Sequence, residues 1–131
     1  QPFLTAATIL GVLAQRLVRR LCPHCKQQTA INEQEWEHLT FDYMMDMPTT
    51  MYKAVGCEVC RQTGYKGRVG IYEFMPVSLE LKSIIGGNGT LDNLRAQAKK
   101  EGIEPLRIAG ARKVIEGMTT LEEVLRVVPL N

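Results

Sequence analysis

The chain has 131 residues, 45% hydrophobic and 23% charged, with a formal net charge of +2. That suffices for one packed core but not for a membrane span, because the longest apolar candidate, Phe3 to Gln15, runs straight into Arg16, Arg19 and Arg20. Four cysteines are too few for a disulfide-dense secreted scaffold and nothing resembles a signal peptide, so a soluble, cytoplasmic protein with reduced thiols is expected.

The chain opens Gln1-Pro2-Phe3, without an initiator Met and already inside an apolar segment, and reads as a fragment of something larger. From about Thr5 to Leu21, apolar residues at Ile9, Leu10, Val12, Leu13, Ala14, Leu17, Val18 and Leu21 cover more than one helical stripe, which predicts a helix packed on two sides. It delivers Cys22-Pro23-His24-Cys25 at its end, where Pro23 stops it and fixes φ for a tight turn that aims backbone N–H groups at sulfur. Ile31 to Asp46 reads as a short helix with Asn32 as N-cap, Glu33 and Glu35 in the first turn, and Trp36 and Leu39 turned inward. Met44, Met45, Met47 and Met51 gather around Pro48; adaptable core packing is expected of them, with a methionine surface for a partner as the alternative.

Met51 to Gly56 reads as a strand leading to Cys57-Glu58-Val59-Cys60. Gly64, Gly67 and Gly70 then recur every third residue before the β-branched and aromatic stretch Val69 to Val77, a glycine-bent turn feeding a strand that closes at Pro76 and Ser78. The remainder reads as four short helices. Ser78 caps the first, with Leu79, Leu81, Ile84 and Ile85 before Gly86-Gly87, and Thr90 opens the second, with Leu91, Leu94 and Ala98, ending near Gly102. Pro105 starts the third, which runs to Glu116 with Gly117 as its stop. The fourth begins at Thr120, whose T-x-x-E with Glu123 is a capping box; Leu121, Val124, Leu125 and Val128 share a face, and Pro129 ends it. Each has one apolar face, so they must pack on each other or on the cysteine-bearing part of the chain.

The cysteines form two CxxC pairs, with 31 residues between Cys25 and Cys57. Two such pairs supply a closed four-sulfur tetrahedral shell with no open position for chemistry, so Cys22, Cys25, Cys57 and Cys60 are read as ligands of one structural zinc ion. Two disulfides, a redox CxxC and an iron–sulfur cluster are the competing readings; a lone redox pair leaves the second CxxC unexplained. His24 lies inside the first pair and is read as an exposed knuckle residue rather than a replacement ligand. Arg16, Arg19, Arg20 and Lys26 flank one pair and Arg61, Lys66 and Arg68 follow the other, surroundings that suit the two negative charges left when four thiolates hold a divalent cation. With the ion, the formal +2 becomes about zero.

The insert between the pairs has the opposite sign, with Glu33, Glu35, Glu37, Asp42 and Asp46 and neither Lys nor Arg from residue 31 to 50. A nucleic-acid ribbon rarely carries five acids there. The insert is read as a docking surface for a partner or as a segment folded back on its own lobe. Gly64 to Gly70 is neither GxGxxG nor GxxxxGK[ST], and without a phosphate loop these residues alone are expected not to hydrolyse a nucleotide. Gly64-Tyr65-Lys66-Gly67 satisfies GxxG, but a KH loop lies between two helices and a strand pattern follows here, so nucleic-acid binding is not expected. No nucleophile constellation is present: the cysteines are committed to metal, His24 and His38 have no evident partner, and Glu73 and Asp92 are ordinary acids.

Three segments carry a resemblance: Gln15-Arg16-Leu17-Val18-Arg19-Arg20-Leu21-Cys22-Pro23-His24-Cys25, Gly56-Cys57-Glu58-Val59-Cys60, and Gly64-Tyr65-Lys66-Gly67-Arg68-Val69-Gly70-Ile71-Tyr72-Glu73. With Glu101-Gly102-Ile103 and Glu116-Gly117-Met118-Thr119-Thr120-Leu121-Glu122-Glu123-Val124, in that order, the chain resembles the C-terminal region of the secretion ATPases, the motors of type II secretion and type IV pilus assembly. The resemblance implies a cytoplasmic homohexamer, peripheral at the inner membrane and working on a platform protein there. ATP and Mg²⁺ would bind only in the full-length protein, since the phosphate loop and its acidic and histidine boxes lie upstream in the family. It further implies an α+β, predominantly helical fold: the end of a RecA-like core over residues 1–21, a tetracysteine zinc subdomain over 22–62, a glycine turn and strand returning to the core over 63–77, and a bundle of short helices over 78–131. The arginine of the family's GRxG segment lies near nucleotide, which here is Arg68, read either as a phosphate or interface contact or as a salt-bridged residue beside a glycine turn. The other functional class is a free-standing zinc-ribbon-like module that binds nucleic acid or protein.

Overall fold

The computed structural model describes residues 11–76 and 91–128. Strand β1 spans Gly11–Leu21 and strand β4 Tyr65–Pro76, and the two are hydrogen-bonded neighbours in a two-stranded sheet. Between them, β2 (Gln27–Ala30) and β3 (Thr50–Lys53) pair antiparallel with Gln27 opposite Lys53 and Ala30 opposite Thr50. Helix α1 (Glu33–Leu39) lies in the β2–β3 connection, and α2 (Leu91–Lys100), α3 (Leu106–Ile115) and α4 (Leu121–Val127) follow β4. The fold is α+β. It is not predominantly helical over the described residues, where strands claim nearly as much of the chain as helices.

The difference originates in β1. The helix expected up to Leu21 is, over residues 11–21, a strand. An apolar run without clean two-residue alternation satisfies either template, and what decides is the partner available to the backbone. One side of β1 pairs with β4. On the other, the turn between α3 and α4 takes the place of a strand: Leu21 N–H donates to the Met118 carbonyl at 2.8 Å, the Thr119 hydroxyl donates to the Arg19 carbonyl at 2.7 Å, and Arg19 N–H donates to Glu123 Oε2 at 2.9 Å. Residues two apart in a strand present their polar groups to the same edge, so Arg19 and Leu21 are met together at the C-terminal end of that edge.

The chain divides into two compact units. One comprises Gln1–Ala14 with Tyr72–Pro105, in which α2 ends at Lys100 and is followed by a turn where Gly102 N–H meets the Lys99 carbonyl at 3.0 Å. The other comprises Gln15–Ile71 with Leu106–Asn131 and holds a core of Val18, Trp36, Leu39, Ile71, Leu106, Ala111, Val114, Leu121, Val124 and Val128. Trp36 and Leu39 face inward as the sequence predicts. Asn32 caps α1, accepting from Glu35 N–H at 3.0 Å, but the helix stops at Leu39 rather than reaching Asp46. The Thr40 hydroxyl donates to the Trp36 carbonyl, and Arg107 of α3 takes the carbonyls of Leu39 and Phe41, so the acceptors needed for another turn are engaged. Of the glycines expected to form a turn before the second long strand, Gly67 and Gly70 are part of that strand, since β4 already begins at Tyr65, and Gly64 lies just before it. The helix expected from Ser78 to Gly87, the residues before Gly11, and Pro129 lie outside the described residues.

Helix α3 ends as Gly117 predicts: at φ +74°, its N–H bonds to the Val114 carbonyl and Met118 N–H to that of Lys113, the paired bonds of a Schellman turn. Thr120 caps α4 by accepting from Glu123 N–H at 3.1 Å. The reciprocal half of the expected capping box is replaced by another bond set. The Glu123 carboxylate, only 2% exposed, bridges Arg19 (Nη2 to Oε1 2.7 Å) and Arg126 (Nη2 to Oε2 3.0 Å) while holding the Arg19 amide. Burial works to raise its pKa, but the hydrogen bonds from Arg126 and then Arg19 outweigh it and bring the group from 4.5 down to about 2.

A carboxylate depressed in the folded state stabilises fully above its unfolded pKa, here about 4.5, and loses that contribution as pH falls toward 2. Glu123→Gln is expected to cost about 1–3 kcal/mol at neutral pH in urea unfolding. The gap between variant and wild type should narrow steadily below pH 4.5; a gap independent of pH would show that the charge is immaterial.

Candidate metal centre

The first knuckle hangs from the end of β1. Leu21 is pinned to Met118, Cys22 N–H donates to the Gly64 carbonyl at 3.0 Å, and the turn closes with Cys25 and Lys26 N–H groups on the Cys22 carbonyl at 3.4 and 3.1 Å. The second knuckle is a tighter loop. Gln62 N–H meets the Cys57 carbonyl at 2.8 Å with Arg61 and Gln62 at φ +57° and +66°, and the Thr63 hydroxyl donates to the Cys60 carbonyl at 2.7 Å. Because β4 pairs with β1, the residues before β4 are returned beside the residues after β1.

The four sulfurs thereby converge to within 4.8 Å of one another. Cys22–Cys57, Cys25–Cys60 and Cys57–Cys60 are each 3.8 Å apart. Metal–sulfur bonds of about 2.3 Å in a tetrahedron place sulfurs about 3.8 Å apart, whereas a disulfide requires about 2.05 Å. The cysteines are free thiols in the geometry of a four-sulfur shell, not two disulfides. The donor set fits a soft, tetrahedral cation and leaves no open coordination position.

Backbone amides prepare the sulfurs for negative charge. Gly56 N–H points at Cys25 Sγ (3.4 Å), and Cys57 and Gly64 N–H groups point at Cys60 Sγ, both at 3.2 Å. Burial pushes the Cys60 thiol up, but these amides overcome it and draw the thiol down to about 6; burial dominates at Cys25, which is pushed up to about 11. The neighbouring cations do other work. Lys26 Nζ donates to the Gly117 carbonyl at 2.9 Å and sits 4.6 Å above the Tyr52 ring, while Arg19 binds Glu123 and covers the Tyr65 ring at 4.1 Å. His24 is exposed, as expected.

Arg68 is not part of this cluster. It is an exposed residue of β4, next to Gly67 at φ +79°, and has no ion-pair partner among the described residues. Of the methionines, Met45 and Met51 pack against the core, as the packing reading expects, while Met44 is fully exposed. Glu123 was read from sequence only as a capping residue; Arg19, 104 positions away, is what reveals its second role, and no local pattern announces that pair.

The fold and site define an α+β module organised around a four-cysteine cluster with metal-binding geometry. A family model described as "Type II/IV secretion system protein" matches residues 1–126, and the chain belongs to that family. It is 65% identical over 131 residues to the type IV pilus assembly ATPase TfpB of Acinetobacter baylyi, covering 100% of this chain and 22% of that protein. It is 44% identical over 127 residues to type II secretion system protein E of Pseudomonas aeruginosa, covering 97% and 25%. It is 38% identical over 125 residues to the type IV pilus assembly ATPase PilB of Thermus thermophilus, covering 95% and 14%. The chain thus spans a quarter or less of the length of these relatives.

A Cβ at Gly64 would meet the Ala54 Cβ at 2.5 Å, on a backbone at φ +83° that disfavours side chains, just where the amide reaches Cys60. Gly64→Ala is therefore expected to weaken metal affinity by about tenfold or more in competition with a chromophoric chelator. Because the first knuckle and the α3–α4 turn share β1 and Lys26, Cys25→Ser should also raise hydrogen exchange at residues 117–123; exchange changes confined to the knuckles would show that the turn is independent of the site.

Proposed function

We propose that this chain is the C-terminal, zinc-binding portion of a motor ATPase that powers type IV pilus assembly, with type II secretion as the sister system. The observation that carries the reading is 65% identity along the whole chain to a pilus assembly ATPase, above the 44% to a type II secretion protein. On this reading the zinc is structural, held by Cys22, Cys25, Cys57 and Cys60, and stabilises the fold without entering the reaction. Residues 1–21 end a RecA-like core. ATP and Mg²⁺ bind upstream, in a cytoplasmic homohexamer peripheral to the inner membrane, and hydrolysis works on a platform protein there. Among the described residues no helix is long and apolar enough to cross a membrane.

Arg68 is the residue through which this portion would touch the nucleotide or an adjoining interface, and its exposed guanidinium, without an ion-pair partner among the described residues, suits either. The isolated 131 residues are expected to contain one zinc per chain, with sulfur neighbours at about 2.3 Å by X-ray absorption, and to lack ATPase activity; the full-length polypeptide should hydrolyse ATP. In that polypeptide Arg68→Ala should lower turnover with zinc content and folding intact. Iron, or no metal with oxidised cysteines, would refute the zinc assignment; absence of ATPase activity from the full-length protein would refute the motor assignment; normal turnover and assembly in the variant would refute the role of Arg68.

A further inference from the structure

The β2–β3 connection differs in charge from everything around it. Residues 31–49 carry Glu33, Glu35, Glu37, Asp42 and Asp46 with His38 but neither Lys nor Arg, so that, with histidine neutral, a chain of net +2 consists of a segment of −5 and a remainder of +7. Glu33 and Glu37 are four apart on α1 and exposed, while Trp36 and Leu39 of the same helix are buried. Neither they nor the exposed Asp46 have an ion-pair partner among the described residues.

Beside these acids, large apolar side chains face solvent: Phe41 is 74% exposed, Met44 fully and Met47 39%. A single exposed apolar residue is ordinary, but three within seven positions of an acidic segment mark a surface. The loop is also held. Arg107 donates to the carbonyls of Leu39 and Phe41, both at 2.7 Å, and lies 5.1 Å from the Tyr43 ring, while Met45 from the same loop packs on the core. The backbone beneath Phe41 is therefore fixed while its ring points outward, the arrangement of an anchor ordered before binding.

We propose that this face docks a basic amphipathic helix of another protein. Phe41, Met44 and Met47 receive the apolar side of that helix, and Glu33, Glu37 and Asp46 receive its Lys and Arg flanks. Methionine suits this role because its unbranched thioether chain adapts to the incoming surface. Charge separates the occupants. An anionic lipid surface is repelled by the acids, and a two-fold contact between copies sets the acidic patch against itself. A basic helix complements both features of the face, and the proposal does not depend on the motor assignment.

The probe is a synthetic helix of about five turns, Leu on one face and Lys on the other, titrated by fluorescence anisotropy against the metal-loaded full-length polypeptide. Saturable one-to-one binding is expected at about 50 mM salt and weaker binding at about 300 mM. Phe41→Ser with Met44→Ser, and separately Glu33→Lys with Glu37→Lys, should each weaken it about tenfold or more, whereas Glu116→Lys with Glu122→Lys should leave it near wild type. Being exposed, the altered side chains should leave zinc content and circular dichroism unchanged. Binding indifferent to the patch substitutions overturns the proposal. So does self-association in sedimentation equilibrium, or pelleting with phosphatidylglycerol vesicles, that the Phe41 and Met44 substitutions abolish, since each names a different occupant. Protection of Met44 from peroxide in the partner-free full-length protein would show the face covered by its own chain and would equally overturn it.

Discussion

The outer edge of β1 is the constraint on which the rest of the larger unit depends. A two-stranded sheet leaves each strand with one row of unpaired amides and carbonyls, and at its C-terminal end β1 meets the α3–α4 turn and the Glu123 carboxylate instead of a third strand. Met118, Thr119 and Glu123 meet Leu21 and Arg19 in register, which places α3 and α4 against the strand and positions Cys22 one residue beyond it. Lys26 extends the same seam by binding the Gly117 carbonyl. Gly110 permits the close crossing of α3 and α4: a Cβ there would fall 2.5 Å from a Val124 methyl, so the two helices approach as tightly as packing allows.

Glu123 gives that seam its electrostatic character. A buried carboxylate is costly unless its lone pairs are taken, and here two guanidinium groups and an amide take them. Tyr65 joins the arrangement through its hydroxyl on Thr120 Oγ1 at 2.9 Å and its ring under Arg19. The first residue of β4, the end of β1 and the N-terminus of α4 thus share one polar network, with the cysteine cluster a few residues away along both strands. At the cluster itself, backbone amide dipoles face the sulfurs, an arrangement that survives salt because it is built into the backbone. On the proposed motor reading, such a knuckle fixes two distant parts of the chain without taking part in hydrolysis.

Much of the site was legible in advance. Two CxxC pairs with no spare cysteine determine a four-sulfur cluster because a pair at that spacing grips one edge of a tetrahedron wherever the chain carries it. Asn32, Gly117 and Thr120 are local signals whose chemistry acts within four residues, and each stands where its helix begins or ends. The order of the glycine, cysteine and arginine segments was equally sufficient for the family.

What the sequence could not decide is whatever depends on a distant partner. Residues 11–21 satisfy a helical and an extended template alike, and only β4 on one edge and residues 118–123 on the other select the strand. Glu123 reads as half a capping box until Arg19 arrives from the far end of the chain, and α1 reads as longer until Arg107 takes its last carbonyls. Sequence by itself determined the groups whose partners lie within a turn or whose geometry a metal shell imposes; tertiary structure decided the rest, because a backbone polar group accepts whichever partner the packed core brings within hydrogen-bonding distance.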